Sequence, residues 1–218
     1  MKALFIKDLG LMKGQKQFFA VVLIMMTVFL SAYTDYSFVI AYITVMFGIM
    51  TLSTISYDDQ DNGLGYLFAL PVSRRDYVKE KYLFSFATTI PGTILVTVFA
   101  LVVSRIRKID FCIEEWVMMV TISLLIVVVT LVLMIPIHLK FGAERSRLAL
   151  MILFGGGTLT IYAAVKLCDA LGIDYISALD RLADMSPAVT LTGLALICTV
   201  LLGISYRCSI MFIEAREF

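Results

Sequence analysis

The sequence is short of charge. Only 16% of its 218 residues are Asp, Glu, Lys or Arg, whereas 61% are hydrophobic. A water-soluble domain holds about a quarter charged residues and about half apolar ones. A soluble globule of this size could not cover so much apolar surface with so few charges. This excludes a soluble enzyme, a disordered tail and a free nucleic-acid-binding protein. The net charge is +1, so no nucleic-acid partner is expected from bulk attraction. Histidine is nearly absent, with His138 alone. The four cysteines, Cys112, Cys168, Cys198 and Cys208, form no CxxC and no metal-ligand spacing, so no metal site is expected. Cys112 and Cys168 fall near the same face, which leaves a disulfide or two free thiols open. No glycine is followed by lysine, so the chain has no phosphate-binding P-loop.

What is abundant is uninterrupted apolar sequence. Six stretches lack any charge: Phe18–Thr34, Tyr36–Tyr57, Tyr82–Ser104, Trp116–Leu139, Leu148–Val165 and Met185–Tyr206. A helix needs about 20 such residues to cross a bilayer. Only helices or closed barrels satisfy the backbone there, and barrel strands alternate polar with apolar. The expectation is an all-α integral membrane protein with six transmembrane helices, forming a single domain over residues 1–218.

The basic residues set the expected orientation. With the N-terminus inside, 13 of the 18 Lys and Arg face the cytoplasm and five face outward: Arg105, Arg107, Lys108, Lys166 and Arg181. The positive-inside rule then puts both termini in the cytoplasm. The first apolar run is long for a signal-peptide core and lacks a cleavage site, so no cleaved signal is expected. Residues 1–17 read as a weak interfacial helix whose lysines suit anionic headgroups. Trp116 reads as part of an interfacial aromatic belt, beside the boundary acids Glu114 and Glu115.

The longest charged insertion lies between the second and third stretches, at residues 58–81. Asp61 or Asn62 can cap a short helix whose apolar side is Leu64, Leu67, Phe68 and Leu70. Pro71 stops it. Ser73, with Asp76 three residues on, caps a second helix that carries Arg74, Arg75, Lys79 and Lys81 into the third span. The first of these helices suits either a groove on another protein or the lipid headgroups. Asp58-x-Gln60-x-Asn62-Gly63 falls short of a calcium loop, because Ala69 stands where the bidentate Glu belongs.

The pattern Ser56-Tyr57-Asp58-Asp59-x-Asp61-Asn62-Gly63-x-x-Tyr66-Leu67-x-x-Leu70-Pro71-Val72-Ser73-Arg74, followed by Tyr77-Val78-x-x-Lys81-Tyr82-Leu83, resembles small ABC-2 type transporter permeases of Gram-positive bacteria. A second match is Lys140-Phe141-Gly142-Ala143-Glu144-Arg145-Ser146-Arg147. The resemblance implies the permease half of an ABC exporter in the cytoplasmic membrane. Two permease chains, the same or related, would work with two copies of an ABC ATPase subunit that holds ATP and Mg. The N-terminal segment would be an elbow helix, and Asp61–Leu70 the coupling helix. The coupling residues so implied are Asp58, Asp59, Asp61, Asn62, Gly63, Tyr66, Leu67, Leu70, Pro71, Arg74 and Arg75. Phe141, Gly142, Glu144, Arg145 and Arg147 of the next inner loop would brace the same contact. The nearest subgroup exports amphipathic peptides such as phenol-soluble modulins or antimicrobial peptides.

Ser85, Thr89, Thr93 and Thr97 recur every four residues, with Thr44, Thr51 and Thr54 as a looser second stripe. They read either as hydroxyls bonded back to their own helix or as a mildly polar translocation path. Gly155-Gly156-Gly157 reads either as close helix packing or as a flexible point. The charge-free stretches hold no Asp, Glu, Lys or Arg, which suits amphipathic or lipophilic cargo better than ion coupling, with backbone carbonyls left as the one route to a sodium site. Two rival readings are a substrate-binding subunit of an ATPase-dependent vitamin importer and an intramembrane enzyme. The first lacks a reason for the charged loop, and the second lacks an assembled nucleophile or metal set.

Overall fold

The computed structural model describes residues 2–33, 36–60, 63–108, 112–171 and 187–216. Among these residues every regular element is an α-helix: α1 (Lys2–Gly14), α2 (Lys16–Ala32), α3 (Tyr36–Asp59), α4 (Gly63–Ala69), α5 (Arg74–Ile106), α6 (Ile113–Leu171) and α7 (Pro187–Ala215). The expected all-helical membrane architecture is observed.

Helix α3 is the axis of the bundle. Its spanning segment is 61% buried, against 11% for that of α7. It is apolar around its whole circumference, which is the signature of a helix surrounded by others. It packs on α5 and α6, and α6 in turn packs on α7. One core cluster joins Val22, Met26 and Leu30 of α2 to Val39, Ile43 and Phe47 of α3, Val96 of α5 and Trp116 of α6. A second, at the end carrying α4, joins Leu52 and Ile55 to Leu64, Tyr77, Tyr82, Ile135 and Ile213. Trp116 packs in the first of these clusters, its ring 6.0 Å from that of Tyr36.

Helix α5 begins as the sequence predicts. The Ser73 hydroxyl accepts from the Asp76 backbone N–H at 3.0 Å, capping the first turn. The helix then runs 33 residues without interruption. That is about 50 Å, against about 30 Å of bilayer hydrocarbon, so its first turns project beyond the run Tyr82–Ser104. Halfway along, α3 and α5 touch at Gly92: a Cβ there would lie 2.9 Å from Phe47 Cβ and closer still to its ring.

Among the described residues four helices are long and apolar enough to span: α3, α5, the Ile113–Gly142 part of α6, and the Val189–Ala215 part of α7. Helices α1 and α2 make a fifth if the pair, bent by 63°, is counted as one span. The remaining stretch, Leu148–Val165, lies in the second half of α6, where several side chains are outside the described residues. Of the six expected spans, four or five are thus seen.

Helix α1, expected as an interfacial segment, also buries Leu4 and Asp8 and packs on α5 and α3. Phe5 meets Phe84 edge-on at 5.5 Å. At the opposite end, Arg107 donates to the Tyr33 carbonyl at 3.2 Å and to that of Ser31, satisfying carbonyls that end α2. Arg107, a basic residue expected to face outward, is therefore engaged in holding the fold.

Candidate functional site

The two sequence motifs meet at one end of the bundle. The organising group is Lys81, whose side chain is fully buried. Its ammonium donates to Asp8 Oδ2 of α1 and to Thr54 Oγ1 of α3 at 3.1 Å, and lies 2.8 Å from Asp58 Oδ2. Lys7 pairs with the other Asp58 oxygen and stands 3.2 Å from Asp8 Oδ1. Tyr77, one turn before Lys81, donates its hydroxyl to Asp58 Oδ2 at 3.1 Å. Tyr77 and Lys81 share a helix face because they are four residues apart. Burying such charges is tolerable only when each is paired and hydrogen-bonded. The cluster thus fastens α1, the end of α3 and the start of α5 to one another.

Asp58, implied as a coupling residue, therefore points into the protein. Asp59 turns the other way and accepts from Arg216 Nη2 at 2.6 Å. That pair sits against Gly142 of the second motif, where a Cβ would come within 2.5 Å of Asp59 Oδ2. Gly142 has φ 74° and ψ 178°, a backbone state that only glycine adopts freely, and it breaks α6 into two helical halves. Arg74 donates to the Ile213 and Glu214 carbonyls at 3.0 and 2.6 Å, capping the end of α7. Arg75 pairs with Glu214 at 2.9 Å. Both arginines thus have partners within the chain. The Arg74 guanidinium meets the unsatisfied carbonyls of a helix terminus, and Arg75 meets the Glu214 carboxylate there, a terminus that the sequence does not show to be adjacent.

Helix α4 lies between these two clamps. Leu64 is buried, and Leu67 and Phe68 pack on the same cluster. Arg74 stands over the Phe68 ring at 5.7 Å. The opposite side presents Tyr66 and Leu70, 78% and 58% exposed, with Pro71 exposed beside them. Leu67 is therefore part of the inner contact, while Tyr66 and Leu70 form the displayed face. Gly63 is close-packed, since a Cβ there would lie 2.7 Å from the Asp58 carbonyl. Asp61 and Asn62 lie outside the described residues. Phe141 and Arg145 are exposed, and Lys140 stands over the Phe141 ring at 5.1 Å. The side chains of Glu144 and Arg147 lie outside the described residues, as does that of Cys168. Cys112 is a free, exposed thiol.

The hydroxyl stripe is largely internal. Ser85, Thr93 and Thr97 donate to the carbonyls of Tyr82, Thr89 and Thr93 at 2.7 to 2.9 Å. Thr44, Thr51 and Thr89 are buried without a hydrogen-bond partner. Thr93 and Thr97 also line an open, almost wholly apolar groove of about 190 Å³ with Ile90, Ile94, Val120 and Leu124. The back-bonding pattern fits the structural reading of the stripe.

Sequence reading missed Asp8, Tyr77, Lys81 and Arg216 as members of this site. The signals were faint: Asp8 is the only acid before Asp35, and Tyr77 and Lys81 are spaced to share a face.

A family model described as an ABC-2 family transporter protein matches residues 3–214. Among curated proteins none matched the chain. Among solved structures none did either. The family match takes in α1, both motifs and α7, so this chain belongs to the ABC-2 transporter family and is a membrane-spanning subunit of an ABC transporter.

Proposed function

We propose that the protein is the permease of an ATP-driven exporter for amphipathic peptides or lipophilic compounds. Two such chains pair in the cytoplasmic membrane with both termini inside. Two separate ATPase subunits dock against α4 and hold the ATP and Mg. The observation that carries the reading is the displayed pair Tyr66, on the seven-residue α4, and Leu70, just past its end, with Asp58 and Asp59 before the helix held by ion pairs to Lys81 and Arg216. An apolar pair at a short exposed helix suits a groove on a partner protein. Its mounting suits force transmission. A push on α4 reaches α1, α3 and α5 through Lys81, and α6 and α7 through Asp59, Gly142 and Arg74. Closure of the ATPase pair on ATP would thereby reorient the spans. The charge-free spans favour cargo that need not be neutralised on its way.

Co-expression with the ATPase encoded beside this chain tests the docking. Tyr66→Asp and Leu70→Asp leave the buried contacts intact and should abolish co-purification or cargo-stimulated ATP hydrolysis. Unchanged assembly and coupling in both variants would overturn the reading. Inverted vesicles that accumulate labelled amphipathic peptide only with ATP would support the direction and the cargo class.

A further inference from the structure

We infer that Glu80 is a proton-binding site of the permease, neutral while α1 is packed on α5 and ionised when the two separate.

The inference starts from a charge count. The cluster at the start of α5 holds three carboxyls, Asp8, Asp58 and Glu80, against two ammoniums, Lys7 and Lys81. Fully ionised, it would keep one negative charge without a counterion. The donors identify where that charge falls. An ammonium has three protons. Those of Lys81 are directed to Asp8, Asp58 and Thr54. Lys7 and the Tyr77 hydroxyl serve Asp58, while Lys7 Nζ stands 3.2 Å from Asp8 Oδ1, an oxygen with no hydrogen bond of its own; Asp8 is bonded through Oδ2 alone. Glu80 is left over. It is 1% exposed, neither of its oxygens has a hydrogen-bond partner, and the nearest ammonium, Lys81 Nζ, is 3.9 Å from Oε2.

A buried carboxylate with no donor carries the full desolvation penalty of its charge, and it escapes that penalty by taking a proton. A metal ion is the poorer fit, since no group of three or more His, Cys, Asp or Glu converges for one among the described residues. Glu80 precedes the charge-free run Tyr82–Ser104 on the projecting turns of α5, within reach of cytoplasmic water once α1 moves aside. The reaction is a simple protonation: water outside supplies the proton, the carboxylate becomes a carboxylic acid, and separation of α1 reverses it. The charged and titratable groups that act on Glu80 are Lys81, 3.9 Å away on α5, Lys7 and Asp8 of α1 and Asp58 of α3, with Tyr77 of α5 also in its field. Protonation therefore favours the packed arrangement, and rising pH favours release of α1. The inference does not depend on the cargo or on ATPase docking.

Infrared spectroscopy of the purified permease in lipid nanodiscs provides the test, because it reads protonated carboxyls directly. The wild-type protein should show a buried carboxylic-acid carbonyl band at neutral pH, and Glu80→Gln should lose it. A spectrum unchanged by the substitution, or a wild-type protein without the band, would overturn the inference. Spin labels at the exposed positions Ile6 and Lys79 supply a second reading. Their separation should increase as pH rises from about 6 to about 9 in the wild type. It should stay fixed in Glu80→Gln. An identical pH response in the two proteins, or none in the wild type, would overturn the link to α1. Should Glu80→Gln fail to fold, the wild-type band and its titration still decide, and a wild-type band insensitive to pH would count against the inference.

Discussion

Replacing Lys81 with Met is the sharpest perturbation of the inner cluster. Methionine keeps much of the volume but removes the ammonium that Asp8, Asp58 and Thr54 share. Breaking a buried ion pair from one side costs about 3–5 kcal/mol, because the surviving charge stays buried. Here Asp58 keeps Lys7 and the Tyr77 hydroxyl, while Asp8 keeps only Lys7 at 3.2 Å. That retained pairing places the expected loss near the lower end, about 3 kcal/mol. For a chain of this length each kcal/mol shifts the unfolding midpoint by about 2–4 °C, so Lys81→Met should unfold about 6–12 °C earlier. Thermal unfolding of the purified protein in detergent, followed by intrinsic fluorescence, measures this. The double variant Asp8→Asn with Lys81→Met removes an acid together with its base. It should recover at least about 1 kcal/mol relative to the sum of the two single losses. A Lys81→Met midpoint within about 2 °C of wild type would refute the reasoning, as would strict additivity in the double variant.

Other positions yield independent expectations. Gly92→Ala should destabilise by about 1–3 kcal/mol, because the new methyl lands on Phe47; adding Phe47→Leu should restore part of the loss in the same unfolding assay. Gly142→Ala should cost about 1–3 kcal/mol through a backbone state that is essentially glycine's alone. Adding Asp59→Ala, which removes the oxygen the new methyl would meet, should not restore that loss, since the backbone strain stays in place. Thr51→Val should be neutral or stabilising by up to about 1 kcal/mol, because its buried hydroxyl has no partner to lose. A large destabilisation there would mean that the hydroxyl is bonded. Ser73→Ala should lose about 1 kcal/mol with the N-cap of α5, readable as weakened amide-exchange protection over Arg74–Tyr77.

Much of the architecture was legible because it follows from single-chain physics. A charge-free run of bilayer length has one stable backbone solution, so α3, α5, the first half of α6 and α7 could be placed from hydropathy alone. The Ser73 cap and the stop at Pro71 are local too, which is why the boundary between α4 and α5 falls where expected. The site was legible only as a list of motif residues. Periodicity cannot say which face of α4 is displayed, and it gave Leu67 the same standing as Leu70. Nor can spacing show that Asp58 and Asp59, adjacent in sequence, point to opposite clamps.

The sequence by itself determined that the chain is helical and spans a membrane, and its motifs pointed to the ABC-2 family. Those properties depend on residue type and on neighbours a few positions away. Only the tertiary structure decided that Lys81 is a buried hub, that α1 packs on α3 and α5, and that Gly142 seats the Asp59–Arg216 pair. The partners of Lys81 are 27 and 73 positions distant, at Thr54 and Asp8, and Arg216 is 157 from Asp59. Such pairings arise when helices dock, because a charge carried out of water must find its counter-charge wherever in the chain it lies.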